Sequence, residues 1–153
     1  MVSVVKVTEW DVVALADLRS ESVAEGYQFI ARLCDEWRSG ANRFDAPGEG
    51  LFVAQHSSGL VGVCGLNRDP YVDDPSIGRV RHLYVNPSHR RQGVGRSLVT
   101  TLIEAAAVRF RILRLRTTPG AESFYQALGF QCPIAGHEPI YVLHLGSVRC
   151  EEA

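Results

Sequence analysis

Lysine is almost missing from this chain. Lys6 is the sole lysine, and every other permanently charged basic side chain is an arginine. Arginine suits planar contacts to phosphate, but the same bias can follow from genome composition, so alone it identifies nothing. Cysteine is sparse and scattered. Cys34, Cys64, Cys132 and Cys150 form no Cys-x-x-Cys pair, which argues against a disulfide frame or a zinc site. Cys34 and Cys64 lie among apolar residues, the usual setting of small buried thiols. No apolar run approaches membrane-spanning length, and Met1 to Val7 lacks a signal-peptide core. The expectation is a reduced, cytoplasmic compartment and no membrane partner. Charge excess is missing as well: the formal net charge is −1, so no global field draws the chain to nucleic acid. There is no repeat, low-complexity tract or linker. The 153 residues are expected to form one domain, 1–153, with a single well-buried core at 46% apolar content.

The most informative feature present is Arg90-Arg91-Gln92-Gly93-Val94-Gly95-Arg96, between an expected strand ending at Val85 and an expected helix beginning near Gly93. Two glycines one residue apart at a helix start leave backbone N–H groups unshielded. First-turn amides have no partner within the helix, and the helix dipole adds partial positive charge there. Flanking arginines add full charges. This is a site for a phosphate or pyrophosphate group. A Walker loop would need Gly-Lys-Ser/Thr, but Arg96 follows Gly95. A Rossmann fingerprint would need a third glycine, but position 98 is Leu.

Along the chain, Val4 to Val7 reads as a strand. Thr8-Glu9-Trp10-Asp11 resembles a capping box, opening a helix to about Ser22 expected to bury Val12, Leu15 and Leu18. A second helix carries Phe29, Ile30, Leu33, Cys34 and Trp37 at spacings of three and four, and Gly40 ends it. Leu51 to Gln55 and Leu60 to Leu66 make a hairpin. Asn67 to Gly78, with two prolines and three aspartates, reads as a loop. Arg79 to Val85 is a strand closed by Pro87. Val94, Leu98, Val99, Leu102, Ile103, Ala106 and Phe110 form the stripe of a long third helix. Leu113 to Thr117 alternates like a half-buried strand. Thr118-Pro119 opens a helix to Leu128, capped by Gly129. Phe130 to Cys132 and Tyr141 to Leu145 are the last strands. The order β-α-α-β-β-β-α-β-α-β-β predicts a mixed α/β domain.

These residues resemble the GNAT superfamily of acyl-CoA-dependent N-acetyltransferases, in element order over nearly the full length and in two motifs. The first, Arg or Gln, two residues, Gly, one residue, Gly or Ala, stands here as Arg90-Arg91-Gln92-Gly93-Val94-Gly95 after Leu83-Tyr84-Val85-Asn86-Pro87. The second, Ala-x-x-Phe-Tyr-x-x-Leu-Gly-Phe, spans Ala121 to Phe130. The resemblance implies a GNAT-like acyl-CoA N-acyltransferase fold with acetyl-CoA as donor and no metal. It implies that coenzyme phosphates lie on the loop Arg90, Arg91, Gln92, Gly93, Val94, Gly95, Arg96 and Ser97. It further implies that the pantetheine arm lies beside Leu83, Tyr84 and Val85 in a cleft between diverging strands. The Val85 N–H would bond the thioester carbonyl, where negative charge develops. Tyr125 corresponds to the family's general acid for the departing thiolate. A phenol and a thiol have reference pKa values of about 10 and 8.5, so that role also depends on environment and geometry.

Two departures from the family pattern stand out. Thr118 replaces a frequent Asn; it either keeps one hydrogen bond to the coenzyme or serves only as a helix cap. Many members carry an acidic or histidine base on the strand before the loop, whereas the positions alternating back from Val85 are Leu83, Arg81 and Arg79. His82 is expected to face the other side. His82 or Glu36 is left as the candidate base, with Asp35, Asp73 and Asp74 as water-mediated alternatives; an amine of low pKa needs none. No covalent nucleophile is evident, since Cys64 lies in an apolar strand.

The resulting expectation is acetyl transfer to a primary amine, of a small molecule, by direct attack in a ternary complex. The alternatives are a protein N-terminal or lysine acetyltransferase and a non-catalytic acyl-CoA-binding module. The acceptor wall is expected from Glu21 to Arg38 and from Ala135 to Pro139. Asp69, Asp73, Asp74 and Glu138 could draw a cationic acceptor. The final strands offer a route to a homodimer.

Overall fold

The computed structural model describes residues 2–7, 12–57, 59–117, 120–132 and 140–146. One sheet contains β1 (Ser3–Lys6), β2 (Gly50–His56), β3 (Gly59–Arg68), β4 (Ile77–Val85), β5 (Ile112–Arg116) and β6 (Ile140–His144), hydrogen-bonded in that order. Every neighbouring pair is antiparallel except β4 and β5, which run parallel. A parallel pair needs a crossover, and α3 (Val94–Ala106) supplies it. The other helices are α1 (Ala16–Ala24), α2 (Phe29–Ser39) and α4 (Glu122–Ala127). The fold class is the mixed α/β sheet expected from the sequence. No helix among the described residues is long and apolar enough to cross a membrane.

The middle strands read as near-continuous apolar runs because helices cover both faces. Leu51 and Val53 of β2 turn toward Leu15, Leu18, Ile30 and Leu33 of the α1–α2 layer. Phe52 and Ala54 turn the other way, toward Leu98, Val99 and Leu102 of α3. Each fully buried leucine contributes roughly 2 kcal/mol, so the sheet is held from both sides. The α3 stripe is buried as its spacing predicts, and Phe110 joins it from beyond the helix end. Gly40 ends α2 at φ 83, a left-handed C-cap that favours glycine.

Several boundaries differ from expectation. The first helix opens as a 3₁₀ turn over Val12–Leu15, and α1 then runs past Ser22 to Ala24. Both ends of the expected loop from Asn67 to Gly78 are strand: Asn67 pairs with Arg79, and Arg68 with Gly78. The polar residues there suggested solvent, but Arg79 is buried against the carboxylate of Asp69, which satisfies its charge inside the sheet. The strand expected over Phe130 to Cys132 reduces to one bridge, Gln131 to Val142. The Thr8–Asp11 capping box, Thr118-Pro119, the loop from Ala135 to Pro139 and Cys150 lie outside the described residues.

Candidate active site

The site begins with a defect in β4. Val63 of β3 pairs with Tyr84, and Gly65 pairs with Arg81, so Cys64 alone faces both His82 and Leu83. One extra residue makes a β-bulge, and His82 takes the strain at φ 60. A bulge reverses side-chain parity. Beyond it, Leu83 and Val85 pack toward α3. Before it, Arg81 lies across from Gly65, whose missing side chain would point at Phe44 of the α1–α2 layer. The expectation that Arg79, Arg81, Leu83 and Val85 share one face is therefore corrected: Arg79 and Arg81 face the α2 side. His82 joins them there, its ring 6.4 Å from Phe29 and 6.0 Å from Phe44.

The bulge sits where the sheet opens. β4 and β5 pair only over Ile77 to Arg79 and Ile112 to Arg114. From Val80 onward β4 leaves β5, and a cleft of about 870 Å³ fills the gap. The Asn86 N–H donates to the Val61 carbonyl of β3. Strand groups alternate sides, so the preceding Val85 N–H turns away from β3, into the cleft.

At one end of the cleft the chain forms the glycine loop. Asn86 accepts from the His89 N–H at 3.1 Å and starts a 3₁₀ turn over Pro87–His89. Arg91 at φ 62 and Gly93 at φ 81 are both left-handed, and Gly93 is the N-cap of α3 with no side-chain cap. Turning the backbone this way gathers N–H groups into a concave, anion-binding surface. The two glycines have different reasons. Gly93 is required by its φ, with open space where a Cβ would stand. A Cβ at Gly95 would lie 3.5 Å from Phe124 and 3.7 Å from Val85, ordinary contact, so that glycine keeps the approach to the amides open.

Of the loop arginines, Arg90 is already engaged. It donates two hydrogen bonds to Glu25 at 2.9 and 2.7 Å and a third from Nε to the Val85 carbonyl at 2.9 Å. The Tyr84 hydroxyl donates to the same carboxylate at 2.6 Å. These bonds, that of Arg90 first, hold the Glu25 carboxyl below its usual range. Burial first, and Glu25 second, push the Tyr84 phenol up. Arg90 thus ties the end of α1 to the end of β4, a role that its place in the motif did not suggest. The guanidinium groups of Arg91 and Arg96 have no ion pair with a described residue.

Tyr125 projects from α4 into the cleft, 8% exposed, edge-on to Phe124 and Phe130 at 5.0 and 5.7 Å. Burial raises its phenol above the ordinary value, so it keeps its proton at neutral pH. Cys64 is fully buried, and burial pushes its thiol up to about 12, leaving no thiolate for covalent catalysis.

Of the two candidate bases, His82 lines the cleft and Glu36 does not. Burial first, then the charges of Arg81 and Arg32, lower the His82 pKa to about 3, against a weaker opposing pull from the Phe29 backbone. Neither ring nitrogen has a hydrogen-bond partner among the described residues. The ring is neutral at physiological pH and a weak base. Asp35, Asp73 and Asp74 do not line the cleft either. Asp73 faces Arg68 at 3.7 Å, and Asp74 faces Arg111 at 3.5 Å. Asp69, expected to draw a cation, is instead buried between Arg79 at 3.3 Å and Arg114 at 3.4 Å. The described lining holds Arg32, Arg79, Arg81, Arg90, Arg91, Arg96 and Arg116, and no aspartate or glutamate. Tyr27, Phe29 and Arg32 come from the stretch expected to wall the acceptor; Glu138 lies outside the described residues.

A parallel strand pair that opens beside an unshielded helix start is the arrangement expected of the class of protein its motifs resemble. The acetyltransferase (GNAT) domain family matches residues 47–132, from just before β2 to just beyond α4. The chain belongs to this family. It is 33% identical over 87 residues to N-acetyltransferase family 8 member 3 of Rattus norvegicus, a match covering 53% of this chain and only 38% of that protein. An acetyltransferase crystal structure from Exiguobacterium sp. 255-15 superposes with a TM-score of 0.82 at 28% identity, over 94% of this chain and 93% of that one. A Salmonella typhimurium protein solved with acetyl-CoA shares the fold at a TM-score of 0.73 and 15% identity, over 95% of each chain.

Proposed function

We propose that this protein transfers the acetyl group of acetyl-CoA to the primary amine of a small molecule, by direct attack in a ternary complex. One observation carries the reading: the glycine loop, Val85 and Tyr125 line one cleft, opened where β4 leaves β5. The residues suit the donor. Left-handed Arg91 and Gly93 turn amides outward, α3 begins without a side-chain cap, and Arg91 and Arg96, which have no ion pair with a described residue, flank them. Acetyl-CoA, when bound, supplies a thioester whose carbonyl carbon accepts the amine.

The chain's own groups then act as follows. The loop amides hold the diphosphate. β4 at Leu83 to Val85 orients the arm, and the Val85 N–H stabilises charge developing on the carbonyl oxygen. As the carbon–sulfur bond breaks, the Tyr125 hydroxyl donates its proton toward the sulfur. The proton that the amine loses on forming the amide goes to water, because the described lining offers no carboxylate and His82 is a weak base. Neighbouring guanidinium groups disfavour an ammonium, so the acceptor reacts as a neutral amine. The same arginines oppose a lysine-rich protein acceptor.

The test is release of free thiol from acetyl-CoA across a panel of small amines, beside peptides with free N-termini or lysines. Turnover with small amines alone supports the proposal. Turnover confined to peptides would move the acceptor to protein. Tight acetyl-CoA binding without thiol release would leave a binding module.

A further inference from the structure

We propose that the acceptor is an amine that also carries a carboxylate, an amino-acid-like molecule, and that Arg32 and Arg81 bind this carboxylate at the α2 end of the cleft. The inference rests on the acetyltransferase reading and extends it to the class of substrate.

Three observations lead to it. First, the cleft has a charge imbalance that the donor does not use up. Arg90 is matched by Glu25, and Arg79 shares Asp69 with Arg114. Arg91 and Arg96 stand at the glycine loop, where the diphosphate is assigned. Arg116, at the end of β5, has a partner of its own. Arg32 and Arg81 remain, with no ion pair to a described residue and no carboxylate among the described lining. Second, these two come from different elements, α2 and β4, yet line the same cleft beside His82, the left-handed residue of the bulge. The bulge causes this: without its change of parity, Arg81 would face α3. Third, aromatic rings surround the same end. Tyr27 and Phe29 lie 5.5 Å apart, and Tyr71, 69% exposed, stands at the mouth under the guanidinium of Arg79. Planar guanidiniums favour carboxylates in two-pronged contact, and the rings suit an apolar side chain on the same molecule.

The experiment compares amino acids with their decarboxylated amines and their amides, for example phenylalanine, phenylethylamine and phenylalaninamide, together with aliphatic counterparts. Thiol release from acetyl-CoA gives kcat/KM for each. The carboxylate members should be favoured about ten- to a hundred-fold, mainly through KM. Arg81→Gln and Arg32→Gln should each collapse that ratio. Binding gives an independent readout. With CoA present, N-acetylphenylalanine should bind more tightly than N-acetylphenylethylamine by calorimetry, and both variants should remove the difference. Equal or better use of the uncharged members, together with no difference in product binding, would overturn the inference while leaving acetyl transfer intact. Absence of thiol release from every amine would count against the acetyltransferase reading, and the product-binding comparison would still decide the carboxylate.

Discussion

The two ends of the cleft carry charge of the same sign in different surroundings, and the difference decides what each can hold. At the loop end, Arg91 and Arg96 flank bare backbone: a left-handed turn, an uncapped helix start and two glycines. Fixed amides and exposed guanidiniums suit a multiply charged, extended anion such as a diphosphate. At the α2 end, Arg32 and Arg81 flank rings and a neutral histidine. α2 also begins there without a side-chain cap, but aromatic rings and the buried His82 take the place of glycine-lined backbone, so a single carboxylate on an apolar body is the better match. Arginine content alone would have treated the two ends alike.

The largest expected effect comes from breaking the loop end. Gly95→Glu places a carboxylate over the first-turn amides, where the diphosphate is assigned. A Cβ there meets only ordinary contact with Phe124 and Val85, so the fold should survive. Acetyl-CoA binding by calorimetry should fall by more than about a hundred-fold, the combined loss of several charge-assisted bonds, with an unchanged circular dichroism spectrum. Unchanged affinity would remove the loop from the binding site.

Next in size is Tyr125→Phe. If the phenol protonates the sulfur, kcat should drop roughly ten- to ten-thousand-fold, with little change in coenzyme affinity. The ring packs against Phe124 and Phe130, which phenylalanine preserves. Wild-type turnover in the variant would make Tyr125 a packing residue.

A smaller effect belongs to the tie between the two layers. Glu25→Gln leaves Arg90 without its carboxylate and weakens the Tyr84 bond. The pair is partly exposed, with side chains 40% and 28% accessible, so screening limits its worth. A fall in Tm of roughly 2–4 °C is expected. No change would show that the bidentate geometry contributes nothing measurable.

Glu25 also marks the limit of sequence reading. The glycine loop, the α3 stripe, the strand at Val80 to Val85 and Tyr125 were legible because each has local chemistry: a backbone conformation, a period or a motif. The Glu25–Arg90 contact joins residues far apart in sequence, and nothing in either neighbourhood marks it. The bulge was hidden for another reason. It inserts one residue without changing residue types, so Arg79 and Arg81 read as sharing a face with Val85 when parity had already reversed. Asp69 was misread because a buried carboxylate between two guanidiniums has the same local sequence as a solvated loop aspartate.

The smallest expected effect is on the proton, and here a near-absence of change is the informative result. His82 is the candidate base that lines the cleft, yet its pKa is about 3, against 6.5 for an ordinary histidine. Two consequences can be separated. For stability, the unfolded chain binds a proton at this ring near pH 6.5 and the folded chain only near pH 3. Unfolding therefore takes up a proton between these values, and stability falls as pH drops through that window. His82→Asn should flatten this part of the profile in urea melts at several pH values. For catalysis, a ring already neutral above pH 4 cannot produce a break near neutrality. kcat/KM should instead follow the neutral fraction of the acceptor, rising about tenfold per pH unit below the amine's own pKa while chemistry is rate-limiting. The break should move with the acceptor and stay in place in His82→Asn. A break fixed near pH 7 for amines of different basicity, and lost in the variant, would show that His82 accepts the proton after all. The arginines at the α2 end would then be tuning a base rather than holding a carboxylate.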